Sequence, residues 1–282
     1  ARHETSVMRY FDNPPTTEEM RPVSRKVAEK REKAIDAEKD WRWELQQNDK
    51  KGYRVSLKNT EILLSNLQKP GLFIHDEFSS REYYGVNATW GGKKGDLLSD
   101  IDIIRIRHWL SGTTFRIEPG KEMALDAVKL IAYRNKTHPV REWLKSLRWD
   151  RVPRISNWIK DCLDGKAEEP YLSEVSRLFL LAMVKRIFEP GCQWDYTLVL
   201  EGLQGTFKST TARVLAGDKW FMDNLPDLRD KDAMLNLQGK WIVELGELAD
   251  VKRGDYNAVK AYLNRRVDRV RSPYGMIPAD IP

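Results

Sequence analysis

A lysine followed by two hydroxyl residues, Lys208, Ser209 and Thr210, closes a short glycine-containing stretch of the chain. A lysine ammonium in this position reaches phosphate oxygens, and the hydroxyl that follows binds Mg²⁺. An apolar run at 198–200 precedes the stretch, and a helix-compatible segment at 212–217 follows it. Strand, glycine loop, lysine and helix form the layout of a P-loop, in which backbone N–H groups at a helix N-terminus bind phosphates.

The loop departs from the P-loop pattern G-x-x-x-x-G-K-[ST] at one position. Phe207 stands where the pattern has glycine, so it must adopt a conformation that glycine reaches freely. The alternative interpretation is a strand–helix turn with an incidental Lys-Ser pair. The P-loop interpretation predicts these nucleotide-binding residues: Gly202, Gln204, Gly205, Thr206, Phe207, Lys208, Ser209 and Thr210.

A second apolar run, 241–243, ends on Glu244, and Glu247 follows about one helical turn later. Short continuous apolar runs are typical of buried parallel strands. Because ligands of open α/β sheets bind at the carboxyl ends of strands, Glu244 is a candidate Mg²⁺ ligand beside Ser209. Glu247 is a candidate for polarising the attacking water. The alternative is a core strand followed by two solvated acids.

The composition predicts a sizeable core with a very polar surface. The chain has 282 residues, of which 41% are hydrophobic and 32% charged, enough for about two domains. No apolar run approaches membrane-spanning length and no signal peptide is visible, so we expect no membrane partner. Two cysteines and four dispersed histidines provide no disulfide framework and no zinc-ligand spacing, which fits a reducing cytosol.

Positive charge is concentrated after the second motif. The formal net charge is +6. Residues 195–250 contain six Lys and Arg against ten Asp and Glu, whereas residues 252–275 contain seven against two. A local excess of positive charge favours a polyanionic partner.

The sequence before the glycine loop predicts mostly helices. We expect an irregular entry and a charged linker helix within 1–50, and an α-rich module over 51–190 that ends near Pro190. Helices are predicted at 16–47, 57–67, 100–110, 116–135, from 139 onward and at 171–188, with a short strand at 73–78. We predict Trp143, Leu147 and Trp149 as core residues, and the alternative is a stacking platform.

The triplet His75-Asp76-Glu77 has the residue types of a metal cluster. Neighbouring residues on a strand point to opposite faces, so the three side chains do not converge. The structural interpretation is therefore favoured over a metal site.

Several separated blocks resemble, in order, the virulence-associated protein E family of phages and mobile elements, whose members are similar to superfamily 3 helicases. The blocks are EGLQGTFKST, WFMDNLPDLRDKDAMLNLQGKWIVELGEL, VKAYLNRRVDRVRSPYG and, upstream, HPVREWLKSLRWDRVPRI. The resemblance covers residues 55–282 and is strongest from 190 onward. It implies an α/β P-loop NTPase core of the AAA+ type at 191–282, preceded by the α-rich module.

The resemblance also implies roles for single residues. Lys208 corresponds to the phosphate-binding lysine, Ser209 to the Mg²⁺ hydroxyl and Glu244 to the acidic residue of the second motif, with Glu247 as a second catalytic acid. Family loops tolerate a residue other than glycine before the lysine, as Phe207 requires. The positions Asp223, Lys231 and Asp232 match the family without an assigned chemistry.

The basic C-terminal stretch predicts a β-hairpin. Residues 267–271 alternate apolar and charged side chains, 272–275 have turn chemistry, and 276–281 form the returning strand. In the similar helicases a hairpin at this place projects into the ring channel and holds DNA. Arg269 and Arg271 are then candidates for phosphate contacts and Tyr274 for base stacking. The alternative is a solvated basic hairpin.

The function implied by the resemblance is that of an ATP-dependent DNA helicase or translocase in the replication of a phage or mobile element. It would use ATP and Mg²⁺, act on single-stranded or forked DNA as a ring, expected to be hexameric, and work in the bacterial host cytoplasm. The chain stops where the family continues into a sensor strand, so the domain is expected to be truncated there. Two alternatives remain: a nucleotide-gated DNA-binding or assembly platform with little turnover, and a kinase on the same core.

Overall fold

The computed structural model of the chain describes residues 40–50, 52–194, 196–225, 233–246, 260, 267–270 and 279–281. The helices are α1 (Leu57–Asn66), α2 (Asp100–Gly112), α3 (Lys121–Arg134), α4 (Pro139–Ser146), α5 (Trp158–Leu163), α6 (Glu169–Phe188), α7 (Lys208–Ala216) and α8 (Ala233–Leu237), with 3₁₀ turns at Trp41–Glu44 and Asp218–Trp220. The strands are β1 (Phe73–Asp76), β2 (Arg81–Tyr84), β3 (Phe221–Met222), β4 (Ile242–Val243), β5 (Asp268–Val270) and β6 (Ala279–Ile281).

The strands pair two by two. β1 and β2 are antiparallel, and β3 and β4 are parallel with Phe221 opposite Ile242. β5 and β6 are antiparallel, with Arg269 opposite Asp280. This last pair confirms the two strands predicted from the basic C-terminal stretch, while the predicted turn at 272–275 lies outside the described residues.

The larger hydrophobic core lies between α1, α2, α3 and the β1–β2 hairpin. Leu63, Phe73, Ile106 and Val128 are completely buried there. Side-chain caps fix the helix starts: Ser56 accepts a hydrogen bond from the backbone N–H of Asn59 at 3.3 Å, and α2 opens with a capping box. Such caps satisfy backbone donors that the first helical turn leaves free. The helices predicted at 57–67 and 100–110 are confirmed.

A second, smaller cluster joins α5 and α6 to the region of the glycine loop. Trp158, Ile159 and Leu172 are its buried members. Leu198, which precedes the loop, and Leu215, on α7, pack against them. This cluster positions the segment in which the candidate site lies.

Two predictions about the helices are wrong in detail. The charged linker helix does not reach residue 47, because the 3₁₀ turn ends at Glu44 and Leu45 is buried in the larger core. Its part before residue 40 lies outside the described residues. The helix predicted at 116–135 begins only at Lys121, since Pro119 and the N-cap Gly120 precede it.

The three side chains of the His75 triplet have separate partners. His75 Nδ1 lies 3.3 Å from Glu82, Asp76 accepts the backbone N–H of Phe78 at 2.8 Å, and Glu77 pairs with Lys136 at 2.9 Å. They do not converge, as the alternation of strand side chains predicts.

Candidate functional site

The glycine loop leads directly into α7, whose first residue is Lys208. Phe207 is the N-cap and has a left-handed backbone, with φ 60° and ψ 21°. Gly205 also has a positive φ, of 82°. The left-handed region costs little for glycine and is strained for phenylalanine. The chain therefore adopts at Phe207 the conformation for which the P-loop pattern has glycine.

Lys208 folds back into the loop. Its Nζ donates to the carbonyl oxygens of Gly202 at 2.9 Å and Leu203 at 2.8 Å. A third hydrogen bond goes to Thr206 Oγ1 at 3.2 Å. An ammonium has three donors, and the loop accepts from all of them. The positive charge is thus held inside the loop, at the N-terminus of α7.

Ser209 and Glu244 are in direct contact, although the two motifs lie 35 residues apart in the sequence. Ser209 Oγ donates to Glu244 Oε1 at 2.6 Å. Glu244 directly follows β4, and its backbone N–H donates to Met222 O at 2.8 Å, which continues the parallel pairing with β3. The carboxylate at the end of a parallel strand and the hydroxyl of α7 are thereby brought to one point.

The strand predicted at 198–200 does not form. These residues belong to no strand in the structure, and β4 pairs with β3 instead. Leu198 packs against the α5–α6 cluster, while Val199 is 51% exposed. An apolar run alone does not distinguish a sheet strand from a segment that packs on helices, which explains the error.

A cleft of about 1690 Å³ lies over the loop. All eight residues predicted to bind nucleotide line it, together with Glu244. Arg141 and Arg186 line another part of the cleft. Ligand pockets usually have volumes of about 300–1,000 Å³, so the cleft has room for a nucleotide and more.

The α4 end of the cleft is held by a buried histidine and an arginine. His138 Nδ1 accepts the backbone N–H of Arg141 at 3.3 Å, and Arg141 Nε donates to Ile187 O at 2.8 Å. Burial, with Arg141 nearby, lowers the pKa of His138, which keeps its imidazole neutral and able to accept. Sequence reasoning missed these residues, because only the fold brings α4 and the end of α6 together.

Three tryptophans connect α4 to the start of β4, and we call them the tryptophan cluster: Trp143, Trp220 and Trp241. The Trp143 ring centroid lies 5.8 Å from that of Trp241 and 6.3 Å from that of Trp220. Trp241 Nε1 also donates to Met183 O on α6 at 3.0 Å. The prediction that Trp143, Leu147 and Trp149 are core residues is wrong, since they are 42%, 52% and 75% exposed. Trp143 packs at the edge of the cluster, and the other two lie in the loop after α4.

The remaining predicted site residues are only partly placed. Arg269 lies on β5, so the structure gives its backbone position alone. Asp223 lies 4.0 Å from Arg213, a surface pairing. The predicted residues Glu247, Arg271, Tyr274, Lys231 and Asp232 lie outside the described residues.

Both motifs lie within the part of the chain that matches a known family. The two motifs form one site, in which a glycine loop at the N-terminus of α7 faces the carboxylate that follows β4. Residues 144–282 match the model of the virulence-associated protein E-like domain. The resemblance found in the sequence is confirmed over these residues. No curated protein matches the chain. Among the described helices, none combines the length and hydrophobicity needed to cross a membrane.

Proposed function

We propose that the chain is a P-loop ATPase that acts as a DNA helicase or translocase in the replication of a phage or mobile element. The observation that carries this proposal is the 2.6 Å hydrogen bond between Ser209 and Glu244. It joins the hydroxyl of one motif to the carboxylate of the other, as a shared Mg²⁺ site requires. The virulence-associated protein E-like domain supports the association with phages and mobile elements.

The residues present suit a nucleotide triphosphate with Mg²⁺. Hydroxyl and carboxylate oxygens are the hard donors that Mg²⁺ prefers, and Ser209 and Glu244 supply one each. Bound Mg²⁺ would neutralise charge that develops on the transferred phosphoryl group. Lys208 and the free N–H groups at the start of α7 would bind the phosphates, and the positive end of the α7 dipole adds to their attraction. We assign Glu247 the role of orienting the attacking water.

Two further parts of the proposal concern partners. The β5–β6 hairpin would bind single-stranded or forked DNA through Arg269, Arg271 and Tyr274. The subunits would assemble into a hexameric ring, in which an arginine from a neighbour completes each ATP site.

The first prediction tests the ATP site. Lys208→Ala should lower the rate of ATP hydrolysis, stimulated by single-stranded DNA, by about 10²–10³, because it removes a cation that stabilises transition-state charge. Glu244→Gln should retain nucleotide binding and lose most hydrolysis. A steady-state phosphate-release assay measures the rates, and fluorescent ATP-analogue titration measures binding.

The matched control is Lys219→Ala, which removes an exposed lysine from the 3₁₀ turn after α7 and should leave hydrolysis unchanged. A wild-type rate in Lys208→Ala would overturn the ATPase assignment.

A nucleotide-gated DNA-binding or assembly platform is a second candidate function. It is favoured by the left-handed Phe207 directly before Lys208, because a residue other than glycine at this position would impair hydrolysis. A platform would bind ATP and change its DNA affinity or assembly while hydrolysing little. Single-stranded DNA that fails to stimulate hydrolysis by the wild-type chain would favour this candidate.

A further inference from the structure

The segment 147–155, between α4 and α5, is an exposed loop that we call the aromatic–arginine loop. It contains no helix or strand, and all nine of its residues are exposed. Arginine recurs at every third position along it: Arg148, Arg151 and Arg154. Trp149 is 75% exposed, although tryptophan is highly buried in most proteins. Neither a hydrophobic core nor a solvated polar surface accounts for this combination.

Hydrogen bonds within the loop link its side chains to one another and to its backbone. Arg154 binds both carboxylate oxygens of Asp150, at 2.9 and 2.8 Å. Asp150 Oδ1 also accepts the backbone N–H of Val152 at 3.0 Å, and Trp149 Nε1 donates to Val152 O at 3.4 Å. The Arg154 guanidinium lowers the pKa of Asp150 to about 2, so the carboxylate stays charged and bound. The one carboxylate of the loop is therefore neutralised by an arginine of the same loop.

Two arginines of the loop remain unpaired. Within the described part of the chain, the guanidinium groups of Arg148 and Arg151 have no hydrogen bond or ion pair. Arg151 has a left-handed backbone with φ 70°, a strained conformation that concentrates at functional sites. Three residues of extended chain span at most about 11 Å, so the Cα atoms of Arg148 and Arg151 lie within that distance of each other, with Trp149 between them in the sequence. The loop thus contains an exposed aromatic ring and two free cations within four consecutive residues.

We propose that the aromatic–arginine loop binds single-stranded nucleic acid, with a base stacked on Trp149 and phosphates on Arg148 and Arg151. Aromatic rings accept any base face, and guanidinium groups bind phosphates without reading the sequence. These residues are different from those of the β5–β6 hairpin. It rests on the nucleic-acid partner of the proposed function and does not depend on ATP hydrolysis.

The charge of the loop favours nucleic acid over a second copy of the chain. The loop contains three arginines against one aspartate. A self-complementary contact through this surface would bring like charges together, and the centres of protein interfaces are depleted in charged residues. A polyanion instead gains from the same charges through release of its counterions.

The experiment is a titration of a fluorescently labelled single-stranded oligonucleotide of mixed sequence, without nucleotide, at several salt concentrations. Trp149→Ala should weaken binding roughly fivefold or more with little change in salt dependence, because it removes stacking. Arg148→Ala and Arg151→Ala should each reduce the slope of log K against log salt by about 0.7. Trp149→Phe should restore most of the affinity lost in Trp149→Ala.

The matched controls are Trp43→Ala and Arg116→Ala. Trp43 is 74% exposed in the first 3₁₀ turn, almost the same as Trp149, and Arg116 is an exposed arginine before α3. Both variants should bind like wild type. The inference is overturned if the loop variants also bind like wild type. It is equally overturned if light scattering shows that Trp149→Ala changes the oligomeric state while affinity per chain is unchanged, because the loop is then an interface between copies.

ATP hydrolysis measured on the same variants separates this inference from the proposed function. Loop variants that lose DNA affinity support the inference even where Lys208→Ala fails to lower hydrolysis. Loop variants with wild-type affinity refute it even where the ATPase assignment holds.

Discussion

At Phe207 the backbone has the left-handed conformation that suits glycine, although the residue is a phenylalanine. The loop requires a left-handed residue directly before Lys208, and the chain uses phenylalanine there with its side chain 72% exposed. Exposure removes any packing reason for the ring to be at this position. The backbone cost of the left-handed conformation is about 1–2 kcal/mol for a residue with a Cβ.

This conflict leads to a prediction about substitutions at residue 207. Phe207→Gly should leave the free energy of unfolding within about 1 kcal/mol of wild type, since relief of strain offsets the greater entropy of the unfolded chain. Phe207→Val should destabilise by about 1 kcal/mol or more, because a β-branched residue is a strong outlier in the left-handed region. Urea unfolding checks the stabilities, and ATP-analogue titration should show weaker binding for the valine variant alone. Equal behaviour of the two variants would contradict the strain argument.

At the residue scale, the sequence predicted the glycine loop and the carboxylate that faces it, and it missed the residues at the α4 end of the cleft. Lys208 and Ser209 follow from one local motif, and Glu244 from the end of an apolar run. Ser209 and Glu244 meet at 2.6 Å, as expected for a carboxylate at the carboxyl end of a parallel strand, where ligands of such sheets bind. His138 opens a block that resembles the family but has no assigned role, and Arg186 lies in a helix without a motif, so only tertiary packing brings them to the cleft.

Elements with strong local signals were predictable, and elements that depend on partners were not. α1 and α2 begin at side-chain caps that the sequence displays. The segment 198–200 has the apolar residues of a strand, yet it packs on α5 and α6. Trp149 has the hydrophobicity of a core residue, yet it is 75% exposed on the loop after α4. Hydrophobicity predicts burial only where another element is available to pack on it.

The β5–β6 pair supports a prediction at the element scale. Arg269→Ala and Arg271→Ala should each weaken binding of single-stranded DNA about equally across sequences and reduce the salt slope by about 0.7. Tyr274→Ala should cost roughly 1–3 kcal/mol of binding free energy with little change in slope. ATP-analogue binding should be intact, because the glycine loop is a separate segment.

Oligonucleotide titration at several salt concentrations measures these effects. Arg177→Ala, on α6 and paired with Glu174 at 2.8 Å, is the control and should bind like wild type. Wild-type affinity in all three hairpin variants would mean that the hairpin is a solvated turn.

At the scale of the whole molecule, the described part of the chain contains two clusters of buried hydrophobic residues, and α4 lies between them in the sequence. The larger cluster contains α1, α2, α3 and β1–β2, and the smaller one α5 and α6. The two share no buried residue. Trp143, on the short helix between them, contacts the rings that precede β3 and β4.

We therefore predict that Trp143→Ala loosens one half of the molecule selectively. Loss of its two ring contacts removes about 0.5–1.5 kcal/mol for each aromatic pair. Amide hydrogen exchange should accelerate in α7 and β4, while protection in α1 and α3 stays unchanged, since sub-global opening follows cooperative units. Trp149→Ala is the control, because its exposed ring contacts no other ring in the described residues. Equal loss of protection in both halves would refute the two-unit description.

The tryptophan cluster also gives the protein an optical property. Its three ring centroids lie 5.8 to 6.3 Å apart. At such separations the electronic transitions of neighbouring indoles couple, and the coupling produces circular dichroism that depends steeply on their mutual orientation. Trp241 stands on the same short segment as Glu244, directly before β4. Any shift of that segment when the carboxylate exchanges its serine partner for another ligand would be visible as a change in ellipticity, without a label.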